Sequence, residues 1–182
     1  ATTGERNPEI YHTILDGTNL NSTLLTQVSA FKDTTFFDGL ILQNARHTAA
    51  GGAVVLKAKG VLRNTTIRNC NTEGNAGGVS NSGGTITNCI IELCEAIGTA
   101  GAVHNMGGLV ENTIIRGCKG NYAAIRNESQ GIVRNCLLHN NEPSNSAWPN
   151  SGGIYNPSGV VYNNTIVCNY GSQYAGIHSD NI

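Results

Sequence analysis

The apolar residues of this chain fall into runs of two or three, set apart by Gly, Asn and Ser, and the runs recur in a fixed order. Asn64-Thr65-Thr66-Ile67 returns as Asn88-Cys89-Ile90-Ile91, Asn112-Thr113-Ile114-Ile115, Asn135-Cys136-Leu137-Leu138 and Asn164-Thr165-Ile166-Val167, at intervals of 23 to 29 residues. Asp38-Gly39-Leu40-Ile41 and Asp16-Gly17 extend the series upstream. A second anchor lies between these: Gly52-Ala53-Val54, Gly77-Gly78-Val79, Gly101-Ala102-Val103, Ala123-Ala124-Ile125, Gly152-Gly153-Ile154 and Ala175-Gly176-Ile177. A third apolar pair precedes each Asn: Val61-Leu62, Thr85-Ile86, Leu109-Val110, Ile132-Val133 and Val161-Tyr162. Each period therefore holds three strand-like segments bounded by turn residues.

Three short strands cannot bury a core alone, but stacked coils can, with equivalent strands about 4.8 Å apart. The pattern predicts an all-β, right-handed parallel β-helix of six to seven coils. It reads as one domain over 1–182, with 1–12 as an irregular lead-in and 13–182 as coils. Small residues before each Val or Ile predict tight bends where a larger side chain would collide. A leucine-rich repeat has a similar period but needs its own leucine spacing and a helical segment, and neither is evident. The 23 glycines exclude an α-solenoid.

In such a stack, equivalent positions form columns. Asn81, Asn105, Asn127 and Asn156 share one, and Asn64, Asn88, Asn112, Asn135 and Asn164 another. Stacked amides can bond from coil to coil, so both columns are expected to be structural ladders. Cys70, Cys94 and Cys118 fall in one column, in phase with Asn44 and Asn141, and Cys89 and Cys136 in another with Thr113 between them. Cysteine is small and often buried, and neighbouring thiols pointing the same way would make strained crosslinks. Free thiols are the expectation, and the absence of a CxxC pair argues against zinc. Arg68, Glu92, Arg116 and His139, and Arg63, Thr87, Glu111 and Arg134, trace two outward columns of alternating charge. Opposite charges on adjacent strands are worth about 0.2–1 kcal/mol per pair.

Composition narrows the function classes. A net charge of −1 with 13% charged residues gives no electrostatic case for nucleic acid or an anionic membrane. No apolar run is long enough for a membrane-spanning helix. The chain starts at Ala1 with no signal-peptide pattern, and Ile182 falls in mid-coil. The expectation is therefore a segment of a longer chain whose open C-terminal coil is continued, capped by another domain or covered by a partner.

The Asp38–Asn44 stretch, the Gly-Gly-hydrophobic turns and the Asn-(Thr/Cys)-Ile-Ile strands resemble the pectate-lyase-like right-handed β-helix superfamily. The flavour is similar to the repeats of bacterial polymorphic outer-membrane proteins and of secreted Bacteroidetes β-helix proteins. Ile14-Leu15-Asp16-Gly17 resembles the opening coil of such domains. The resemblance implies a bacterial protein outside the cell or on its outer surface, and admits either a polysaccharide lyase or hydrolase or a binding and adhesion segment.

The residues weigh against catalysis. The chain has no Asp between Gly51 and Ser179, and Glu92 and Glu111 occupy different outward columns, so no acid/base pair is in phase. No cofactor or metal is implied. Recognition fits better. The turn before the Gly-Gly segment varies most in length, and insertions in one turn project from one face. That turn supplies Tyr122, Trp148 and Tyr174, and the outward column beside it runs Ser80, His104, Arg126, Tyr155 and His178. Tyr122, Trp148, Tyr174, His104, Arg126, Tyr155 and His178 form the expected contact strip for a glycan or a partner protein.

Overall fold

The computed structural model describes residues 13–48, 51–144 and 151–180. Over these residues the chain winds as a parallel β-solenoid of about seven turns with no helix. Equivalent segments of successive coils pair in parallel into four sheets. The first holds seven strands, among them Leu40–Gln43, Thr66–Arg68, Ile90–Glu92, Ile114–Arg116 and Leu137–His139. Next along each coil comes a five-stranded sheet of two-residue strands, Arg46–His47, Asn71–Thr72, Glu95–Ala96, Lys119–Gly120 and Glu142–Pro143. A seven-stranded sheet follows, including Val54–Lys57, Val79–Ser82, Ala100–Met106 and Ala123–Glu128. A six-stranded sheet with Gly60–Arg63, Thr85–Thr87, Leu109–Glu111 and Ile132–Arg134 closes the circuit.

Three of these sheets are the three segments of the sequence repeat. The short sheet is an addition, hidden in the variable turn because two-residue strands such as Lys119–Gly120 carry no apolar run. The other sheets line the core with Leu42, Ile67, Ile91, Ile115 and Leu138 from the first, Val54, Val79, Val103, Ile125 and Ile154 from the third, and Leu62, Ile86, Val110 and Val133 from the fourth, all fully buried, and the third adds a second inward position held by Leu56, Asn81, Asn105 and Asn127. Alternation along a strand that is buried on one face explains why each apolar run is so short. Burial of each such apolar side chain contributes about 1.5–3 kcal/mol, so the core is a sum of near-identical layers.

Small residues lead into the third sheet because coils touch backbone to backbone there. A Cβ on Gly77 would lie 2.4 Å from the Gly101 carbonyl oxygen and 2.6 Å from the Glu95 nitrogen.

The two asparagine columns have different physics. Asn81, Asn105 and Asn127 are fully buried, and each donates its amide to the next coil's side-chain oxygen at 2.8 Å, ending on Asn156. Each also holds its own turn, as Asn105 does by donating to the Gly108 carbonyl at 2.9 Å. The second column makes one such coil-to-coil bond, from Asn64 to Asp38 at 2.8 Å, and does not continue as a ladder through Asn88, Asn112 and Asn135. Asn64, Asn88, Asn112 and Asn135 are exposed and occupy a left-handed corner, φ 48–53°, which asparagine tolerates well.

The phase of the repeat also needs correction in three places. In the last coil Ile132 pairs with Val160, so Asn163, at φ 53°, holds the corner and Asn164 takes the place of Cys136. Asn164 instead accepts from the Cys136 amide at 2.9 Å. At the other end Gly39 (φ 66°), not Asp38, is the corner residue, while Asp16 pairs with Gln43 one sheet further on. The thiol column continues from Ala45 rather than Asn44, since Gln43 pairs with Arg68. Periodicity fixed the coils to within one residue, but only the corner dihedral settles which of two neighbours turns the chain.

All six cysteines are free, five of them buried. Burial pushes the Cys89 thiol up to about 12 and that of Cys136 to about 11. Asn141 and Asn169 replace cysteine in the last coils and build a second interior amide pair. Asn141 donates to Asn169 at 2.8 Å, and its own oxygen accepts from the Cys118 amide at 2.9 Å. Two outward pairs form as their columns predict, Arg116 with Glu92 at 2.6 Å and Arg134 with Glu111 at 2.7 Å, and Arg63 meets Asp38, which the columns did not include, at 2.9 Å.

Candidate functional site on the turn face

The outward column of the third sheet is in register as the repeat requires: Ser80 pairs with His104, His104 with Arg126, Arg126 with Tyr155 and Tyr155 with His178. Parallel stacking places one side chain above the next, and the turn residues Tyr122 and Tyr174 join them. Tyr122 stacks on Tyr155 with centroids 5.7 Å apart, Tyr155 on His178 at 5.2 Å, and Tyr174 on His178 at 4.1 Å and 6°. The Arg126 guanidinium lies 5.3 Å from the Tyr122 centroid and 5.6 Å from that of Tyr155. Trp148 lies outside the described residues.

The carboxylates within this column were not singled out by the sequence reading. Glu128 sits two residues after Arg126, so it points to the same face. It accepts from Arg126 at 2.8 and 3.0 Å and meets His104 Nε2 at 2.6 Å. Burial lowers the His104 pKa against the opposing pull of Glu128, so the imidazole is neutral at pH 7 and donates through Nε2. Its Nδ1 is buried without a partner. Burial raises the Glu128 pKa, but hydrogen bonds from His104 and Arg126 outweigh it and leave the net shift downward. Asp180 accepts from the Tyr155 hydroxyl and lies 3.3 Å from His178. Burial and Asp180 together push the Tyr155 phenol up to about 12.

The predicted strip thus comes together, apart from Trp148, but its rings spend their shared faces on one another. Its guanidinium, Arg126, is already held by Glu128.

A different feature occupies the same turn face in earlier coils. A groove of about 910 Å³ runs across the short sheet and the loop at 18–21. Its lining includes Arg46, His47, Asn71, Glu73, Glu95 and Ile97, drawn from the first three variable turns. Arg46, Asn71 and Glu95 form one column of paired strands. Sequence reasoning identified this turn as variable but did not select these residues, because none is aromatic and the two-residue strands that align them carry no periodic signal.

Among the described residues no group of three or more His, Cys, Asp or Glu could hold a metal ion, and no helix is long and apolar enough to cross a membrane. The features together define a class: an all-β parallel solenoid with an internal asparagine ladder and a polar groove on its turn face. No family model, curated protein or solved structure matches the chain.

Proposed function

We propose that the chain is a β-helix segment acting outside the cell or on its outer surface, where it binds a hydroxyl-rich glycan on the turn face in an adhesive or scaffolding role. The observation that carries this reading is the groove at Arg46, Asn71 and Glu95, whose lining combines amides and charged groups with the exposed apolar side chains of Leu20 and Ile97. A sugar chain presents the same mixture, with apolar C–H faces beside hydroxyls that both donate and accept. A solenoid repeats its lining every 4.8 Å or so, which suits an extended ligand more than a compact one. The resemblance of Asp38–Asn44 and of the Asn-(Thr/Cys)-Ile-Ile strands to the pectate-lyase-like superfamily supports the extracellular setting and a bacterial source.

A second reading, a polysaccharide lyase or hydrolase, draws support from one observation: Glu73 and Glu95 line the same groove. Two carboxylates flanking a bound glycan are the usual hydrolytic pair.

One experiment separates the readings. A glycan array is followed by titration of the best ligand and by reducing-end and unsaturated-product assays on the same ligand. Binding without turnover, weakened by Asn71→Ala, supports recognition. Turnover abolished by Glu73→Gln or Glu95→Gln supports the enzyme. A flat array argues against both.

A further inference from the structure

Among the described arginines and glutamates, those left without a side-chain partner gather in one place. Among the described arginines, Arg63, Arg116, Arg126 and Arg134 each meet a carboxylate, and Arg68 is held by Gln43 at 2.6 and 2.9 Å. The remaining one, Arg46, has no side-chain partner, and it lines the groove. Among the described glutamates, Glu92, Glu111, Glu128 and Glu142 are ion-paired. The other two, Glu73 and Glu95, are not, and both line the same groove. The groove thus holds three charged side chains that make no ion pair.

Their placement is polar. Arg46 and Glu95 share one column, separated by Asn71, so their backbones stand about 10 Å apart over two strand spacings. Glu73 lies two residues beyond Asn71 on the intervening coil, on the Glu95 side of Arg46. Lys119, the next residue in the column, bonds Glu142 at 2.7 Å and only adds its field, not an ion pair, to Glu95. The groove therefore has a cationic end at Arg46 and an anionic end at Glu73 and Glu95. Among the described residues no ion pair joins Arg46 to Glu73 or Glu95.

We infer that this groove selects a zwitterionic glycan, in which a carboxylate-bearing sugar seats on Arg46 and a sugar with a free amine seats between Glu73 and Glu95. This deepens the glycan-binding reading and rests on it. Guanidinium and carboxylate form a charge-assisted, two-pronged contact, and an ammonium group donates to both carboxylates at once. An N-acetylated amine is neutral and cannot. A purely anionic glycan meets repulsion at the Glu end, and a purely cationic one at Arg46.

The test is calorimetric titration of the protein with a tetrasaccharide of alternating glucuronate and unacetylated glucosamine, and with its N-acetylated counterpart. A tetramer of N-acetylglucosamine serves as the uncharged probe. The unacetylated ligand is expected to bind at least about fivefold tighter than the N-acetylated one, the size of one charge-assisted bond in an open groove. The double variant Glu73→Gln, Glu95→Gln removes that preference, and Arg46→Gln removes the preference for the N-acetylated uronate ligand over the uncharged tetramer. All three side chains are solvent-facing, so the variants should keep the parent circular dichroism and melting temperature. Equal affinity for the two uronate ligands, or an unchanged preference in the double variant, would overturn charge selection while leaving glycan binding in place. Failure of all three probes to bind would overturn both readings.

Discussion

The side-chain amide of Asn81 donates to the side-chain oxygen of Asn105 at 2.8 Å, and both residues are fully shielded from solvent. The same bond repeats from Asn105 to Asn127 and from Asn127 to Asn156, so Asn105 and Asn127 each give to one coil and receive from another. Replacing Asn105 with Ala strands an Asn81 amide donor and the Asn127 side-chain oxygen in a dry interior. We expect a loss of about 2–4 kcal/mol, since an unpaired buried polar group costs its full desolvation. Asn88, equally repeated in the sequence but exposed at a left-handed corner, should tolerate glycine within about 0.5 kcal/mol. Thermal unfolding of the two variants side by side checks the contrast, and comparable losses would contradict the division between ladder and corner.

The glycine positions separate in the same way. Gly77→Ala would drive a methyl group into the backbone of Gly101 and Glu95, whereas a Cβ on Gly176 meets nothing within 4 Å. We expect Gly77→Ala to lower the melting temperature clearly, with a cost of about 1–3 kcal/mol as for an overpacked core, and Gly176→Ala to be near neutral. Because Gly77 crowds Glu95, its variant should also weaken any ligand held by the groove.

Thiol reactivity should be strongly unequal. Cys168 is exposed at a left-handed corner, while Cys70, Cys89, Cys94, Cys118 and Cys136 are buried. Thiolate formation at Cys89 and Cys136 is suppressed by burial. Titration with a chromogenic disulfide reagent at pH 8 is expected to label one thiol rapidly in the folded protein. The other five should react only as denaturant opens the coils.

Acid should weaken the outer face of the third sheet. The folded-state pKa of His104 is depressed by burial, so its contribution is present above the unfolded value near 6.5 and is lost as pH falls below it. The net depression of Glu128 has the same sign, with loss beginning below the ordinary glutamate value of 4.5. Melting temperature should therefore fall from pH 7 towards pH 4, and His104→Gln should flatten the upper part of that slope. An unchanged slope in the variant would show that His104 is not the group responsible.

The amino-acid sequence by itself determined the coil. Short apolar runs separated by Gly and Asn can bury themselves only by stacking, and the period of the runs sets which residues stack. That logic is local and repeated, so it yielded the three long sheets, the buried Asn81 ladder, the free interior thiols and the column from His104 to His178. The tertiary structure decided what periodicity does not encode. Asn163 and Asn164 are chemically alike, and only the corner dihedral assigns one to the turn and the other to the Cys136 amide. The short sheet arises because its neighbours hold it, not because Lys119-Gly120 prefers to be a strand. Most of all, the groove brings Arg46, Glu73 and Glu95 together from three coils, a juxtaposition that no residue carries alone.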